Sequence, residues 1–87
     1  MATMILNHKV SDFKAWKKHY DADAARREKA KLKEIYVGTA ADDANNVYII
    51  FQTSNAAAFE KMITDPELKA VMKQAGVVGQ PKVTRLR

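Results

Sequence analysis

From Thr3 to Val10 the chain alternates. Met4, Leu6, His8 and Val10 fall on one face and Ile5 and Asn7 on the other, the period-two pattern of a strand with one face buried. Ser11 then stands where an N-cap is expected, with Asp12 in the first turn, where a carboxylate complements the helix dipole. There the period changes. Phe13, Trp16, Tyr20, Ala24 and Arg27 recur at helical spacing, one stripe of an amphipathic helix predicted to run to about Lys31. The strong helix formers of "AARREKAK" support it.

"LKEIYVGTA", Leu32 to Ala40, reads as a second strand with Ile35 and Val37 opposed to Tyr36. "ADDANN", Ala41 to Asn46, is turn chemistry, because Asp and Asn tolerate left-handed backbone and bond their own main chain. "VYIIFQT", Val47 to Thr53, is the clearest strand, so the two strands and the turn form a hairpin. Ser54 or Asn55 caps a second helix through Phe59, Met62 and Ile63. "TDP" breaks that helix, since Pro66 suits the first turn of a new one with Thr64 or Asp65 as its cap. Leu68, Val71, Met72 and Ala75 make the next stripe, Gly76 is the stop, and "KVTRLR" reads as a last strand near the sheet edge. The order β-α-β-β-α-β predicts α+β architecture: a ferredoxin-like sandwich with a four-stranded antiparallel sheet and its helices on one face.

Helices cover only one face of such a sheet, yet the third strand is apolar on both. Val47, Ile49 and Phe51 point one way, Tyr48 and Ile50 the other. A solvated face alternates with polar residues, and an open apolar face is an association patch. The pattern therefore predicts a homodimer packed sheet to sheet, most simply about a two-fold axis.

Composition narrows the setting. Eighty-seven residues make one domain, spanning 1–87, with a modest core. The absence of cysteine excludes disulfides and thiolate metal sites and points to a reducing cytoplasm. No apolar run approaches the ~20 residues of a membrane span, and "MATMILNHKV" lacks the apolar length and cleavage site of a secretory signal. The net charge is +5, but the basic residues from Lys9 to Lys33 are interleaved with Asp12, Asp21, Asp23 and Glu28. Mixed signs on a helix mark a solvated face with pairs such as Asp23 and Arg27 at i, i+4. The excess charge also suits an anionic ligand.

The stretch "HKVSDFKAWKKHYDADAARR" resembles the pattern His-x-Val-x-Asp-aromatic-x-x-Trp, followed by an aromatic and an arginine on the same helix. That pattern belongs to small dimeric α+β-barrel proteins near the antibiotic-biosynthesis-monooxygenase-like group. "DPELKAVMKQAGVVGQPKV" is similar to the same group's helix and "AGV-x-G-x-P" ending. The resemblance implies a ferredoxin-like protomer, a barrel formed by two sheets in a dimer, and a pocket between sheet and helices. Some relatives oxidise aromatic polyketides without metal or flavin, so the implied cofactor set is empty. Tryptophan, asparagine, tyrosine and arginine line their pocket, with the tryptophan on the second helix. Here the only tryptophan, Trp16, is on the first helix, and Ser54 to Ala75 holds no histidine of the kind the haem-degrading branch uses.

The candidate chemistry follows. His8 is a general base or a hydrogen-bonding ligand if its strand face looks into the pocket, since imidazole titrates near neutrality. The alternative is a strand-end histidine bonded to backbone. Trp16 and Tyr20 are core residues or, in the functional version, an apolar wall and a polar handle on an aromatic ligand. Arg27 snorkels to solvent, pairs with Asp23, or caps the pocket with positive charge. Tyr36, Tyr48 and Phe51 complete the expected pocket border, although strand alternation lets at most one of Tyr48 and Phe51 line it. His19 is turned away from the helical stripe, toward solvent.

Two histidines without cysteine or i, i+4 spacing make no dedicated metal site. There is neither a Gly-rich phosphate loop nor a nucleophile elbow. RNA-recognition modules share the element order but place aromatics two apart on one strand face. Tyr48 and Phe51 are three apart on opposite faces, so no nucleic-acid partner is expected. The expected function is cofactor-independent oxygenation, cyclisation or isomerisation of a small aromatic or polyketide-like molecule. The alternative is a non-catalytic binding or assembly protein.

Overall fold

A computed structural model describes residues 2–86. The elements are β1 (Ala2–Val10), α1 (Phe13–Ala22), α2 (Ala24–Lys29), β2 (Leu32–Ala40), β3 (Asp43–Thr53), α3 (Ala56–Ile63), α4 (Pro66–Gln74) and β4 (Val77–Leu86). The strands form one antiparallel sheet in the order β2-β3-β1-β4. This is the expected α+β, ferredoxin-like architecture, with each helical segment in two pieces. Among the described residues no helix is long and apolar enough to cross a membrane.

Several local expectations are corrected. The first cap is Asp12, not Ser11. Its carboxylate accepts from the Lys14 backbone N–H at 3.1 Å, while the Ser11 N–H goes to the Gly76 carbonyl at 2.9 Å. Joining the two halves of the chain there is a tertiary demand that the local capping pattern does not contain. The helix predicted to reach Lys31 breaks at Asp23, whose carboxylate is held by Arg26 rather than Arg27. The break changes the helical phase, so i, i+4 spacing across it no longer means adjacency. The hairpin turn is only Ala41–Asp42, and β3 begins at Asp43, because cross-strand pairing carries the polar residues into the ladder. Asn55 and Asp65 cap α3 and α4, with Pro66 at the start of α4. Gly76 adopts φ +91°, the left-handed turn that ends α4.

The core lies between the sheet and the helices. Met4, Leu6, Val10, Val47, Ile49 and Phe51 rise from the central strands against Trp16, Phe59 and Ala75. Phe51 and Phe59 are fully buried. The other sheet face is open. Its rows run Tyr36–Ile50–Ile5–Thr84 and Gly38–Tyr48–Asn7–Lys82. A bulge between Glu34 and Tyr36 leaves Ile35 unpaired and turns the Tyr36 side chain onto this face.

Candidate functional site

The site begins with β1. Alternation drives His8 inward beside Leu6 and Val10, and its side chain is only 4% exposed. The Asp12 cap starts α1 in the phase that lays Trp16 over the same strands. His8 meets the Trp16 ring edge-on, with centroids 5.3 Å apart, and Trp16 stacks on Tyr20 at 4.9 Å. Beyond the break at Asp23, Arg27 of α2 completes the series. Its guanidinium lies 3.7 Å from the Tyr20 ring centroid, and Nη1 donates to the Tyr20 carbonyl at 2.7 Å. The Tyr20 hydroxyl donates to Glu34 Oε1 on β2 at 2.6 Å. Burial, reinforced by that hydrogen bond, raises the phenol's pKa well above its ordinary value, despite the neighbouring Arg27 charge.

These residues border a cavity of about 240 Å³ between sheet and helices. Leu6, Ile49 and Phe51 form its apolar floor, and α4 contributes Leu68, Val71 and Met72. Arg27, His19 and Lys69 also line it, His19 and Lys69 at exposed positions, with Gln80 and Pro81 of β4. A clasp fixes the adjoining helix junctions. Arg26 reaches Asp23 at 3.1 Å, Asp65 at 3.3 Å and Glu67 at 3.7 Å, so one guanidinium ties the α1–α2 break to the start of α4.

The His8 imidazole is the buried polar group of this cavity. Its Nδ1 is sealed without a hydrogen-bond partner, in contrast to the backbone-bonded alternative weighed from sequence. Desolvation lowers its pKa to about 4, so the ring is uncharged at neutral pH. A base that weak removes protons poorly near pH 7.

His8, Trp16, Tyr20, Arg27 and Phe51 thus come together around one cavity. Tyr36 and Tyr48 do not. Both lie on the open sheet face, 49% and 37% exposed, because strand parity and the bulge at Ile35 direct them away from the helices. His19 is exposed as expected but reaches the cavity mouth. Spacing alone does not mark the α4 contribution, since Leu68, Val71 and Met72 look like an ordinary core stripe. In the structure no residue of α4 becomes fully buried, which leaves that stripe facing the cavity rather than filling the core. Among the described residues, no group of three or more His, Asp or Glu side chains is placed to hold a metal ion.

Residues 1–85 match the model of a domain of unknown function, DUF3764. No curated protein matches the chain. Similar solved structures include SnoaB, a cofactor-independent oxygenase from Streptomyces nogalater, in a single-residue mutant form. The TM-score is 0.70 at 13% identity, covering 99% of this chain and 90% of that one. An uncharacterised NIPSNAP domain protein from Burkholderia xenovorans matches with TM-score 0.68 at 15% identity, over 100% and 93% of the two chains. A protein from Deinococcus radiodurans, provisionally assigned as an antibiotic biosynthesis monooxygenase, matches with TM-score 0.67 at 14% identity, over 100% and 91%. At these identities the likeness is one of fold.

Proposed function

The chain belongs to the DUF3764 family, and we propose that it is a cofactor-independent oxygenase of a small aromatic or polyketide-like molecule. The observation that carries this reading is the apolar cavity, walled by Trp16 and Phe51 and holding the neutral, unpartnered His8. A mostly apolar concavity with few polar groups is the common form of a small-molecule site. The fold shared with SnoaB supports the reaction class. The CH2 of an anthrone, acidified through the flanking rings by the carbonyl opposite, passes its proton to water at the cavity mouth and leaves an electron-rich anion that itself reduces O2. The CH2 carbon becomes a carbonyl, and the second oxygen atom leaves as water with the two hydrogens. The protein's part is to hold the ring, exclude bulk water and hydrogen-bond the oxygen on which charge develops.

Oxygen uptake with a panel of anthrones and hydroxynaphthoquinones tests the proposal. Turnover in wild type that falls at least about tenfold in His8→Ala is expected. No uptake with any member, or unchanged uptake in the variant, counts against it. A second reading, ligand binding without turnover, draws on the weak basicity of His8. Thermal-shift hits in the absence of uptake are its signature.

We also propose a two-fold homodimer through the open sheet face. Tyr36, Ile50 and Ile5 form its apolar centre with Tyr48 beside them, while Lys33 and Lys82 stand at the margin. An uncharged apolar centre can meet its own copy without burying a charge, and a small single-core chain gains from covering it. A solution mass equal to one chain at micromolar concentration would defeat this proposal.

A further inference from the structure

The cavity is polar in two places of different kind. Of the cations that line it, Arg27 and the exposed Lys69 have no carboxylate partner among the described residues. Asp23 lines the same region, but Arg26 Nε engages both of its oxygens, at 3.3 and 3.1 Å. The unpaired charge of the lining is therefore positive. Arg27 is also held in place: its plane is stacked 3.7 Å from the Tyr20 ring centroid, and one N–H is committed to the Tyr20 carbonyl. A guanidinium carries five N–H donors, so most remain for a ligand at little ordering cost.

At the inner end stands His8. Its Nδ1 is sealed from the cavity, which leaves Nε2 as the ring nitrogen able to meet a ligand. A neutral imidazole holds one N–H. Placing it on Nδ1 would bury a donor without an acceptor, the rarer and costlier arrangement. We assign the proton to Nε2, which makes His8 a hydrogen-bond donor to the cavity. Trp16 and Tyr20 lie between the two polar ends in the order of contacts, giving an aromatic wall for a flat ring.

We propose that the cavity takes an aromatic acid, with its carboxylate at the Arg27 and Lys69 mouth, its ring along Trp16, and a distal hydroxyl or keto oxygen accepting from His8 Nε2. This deepens, and rests on, the reading of the cavity as the functional site. It makes Arg27 a determinant of substrate class and His8 a donor to the oxygen that becomes anionic.

Titration calorimetry with hydroxynaphthoate, naphthoate and naphthol tests it, with the indole N–H resonance of Trp16 locating the ligand. Hydroxynaphthoate is expected to bind about tenfold or more tightly than naphthol, the scale of one charge-assisted contact. Arg27→Gln should remove most of that advantage while changing naphthol binding by less than about twofold. Lys69→Gln, at an exposed position, should act in the same direction without affecting folding. His8→Phe should abolish the preference for hydroxynaphthoate over naphthoate. Equal binding of naphthol and hydroxynaphthoate overturns the proposal, as does a uniform loss for all probes in Arg27→Gln, or binding that leaves the Trp16 resonance unmoved. Oxygen uptake with the anthrone panel, run on the same protein, separates the two readings. Selective binding of the acid without uptake removes the oxygenase and keeps the ligand class, whereas uptake with neutral aromatics and no acid preference does the reverse.

Discussion

Tyr20 on α1 donates its hydroxyl to Glu34 on β2 at 2.6 Å, tying the helix that carries Trp16 to the edge of the sheet. Removing the hydroxyl in Tyr20→Phe keeps the stacking on Trp16 and Arg27 and leaves Glu34 free to hydrate. A loss of about 1 kcal/mol is expected, since the net worth of such a bond is modest. Urea titration should show a lower midpoint with an unchanged slope. A midpoint equal to wild type would mean that water serves Glu34 equally well.

Acid should unfold the protein partly through His8. The imidazole titrates at 6.5 in the unfolded chain and at about 4 in the folded one. Between those values the unfolded chain binds more protons, so stability is full above pH 6.5 and falls as the pH drops toward 4. The contribution totals roughly 3 kcal/mol at one pKa unit per 1.36 kcal/mol. Subtracting the pH–stability curve of His8→Phe from that of wild type isolates it from the carboxylates. A flat difference between pH 6.5 and 4 would show that the ring reaches solvent.

Phe51 and Tyr48 occupy the same strand but opposite faces, and their truncation should separate cleanly. Phe51→Ala empties a fully buried site and is expected to cost about 3–5 kcal/mol, a large share of the stability of a small domain. Tyr48→Ala, at a position 37% exposed, should change protomer stability by less than about 1 kcal/mol. Denaturant curves at low concentration measure both, and similar losses would contradict the face assignment.

Gly38 is where the open face is shaped most closely. A Cβ there would stand 2.7 Å from Tyr36 Cζ, so the ring must swing aside in Gly38→Ala. The ring is the exposed end of a mobile side chain, and protomer stability should shift by less than about 1 kcal/mol. Complementarity of the proposed dimer face should suffer more, with association at least about tenfold weaker in sedimentation equilibrium. Ile50→Lys, which places a charge at the centre of the same face, should give a monomer outright.

The elements themselves were legible because each signal is local. Period two put His8, Met4, Leu6 and Val10 on one face of β1. Helical spacing put Trp16 and Tyr20 on one stripe, and the "TDP" break marked the start of α4. What misled were points where a distant partner overrides the local rule. The Ser11 amide is taken by Gly76, so capping passes to Asp12. Asp23 ends α1 early, so Arg26 rather than Arg27 takes its carboxylate. A single bulged residue at Ile35 decides where Tyr36 points.

The sequence by itself therefore determined the order of strands and helices, the apolar character of both sheet faces, and His8 as the residue to watch, since these follow from periodicity and side-chain type. Only the tertiary structure decided that α4 walls the cavity, that Arg27 stacks on Tyr20 with its charge unspent, and that His8 Nδ1 is sealed while the ring stays neutral. Burial, hydrogen-bond satisfaction and charge pairing depend on which distant segments meet, and spacing along the chain carries no record of those meetings.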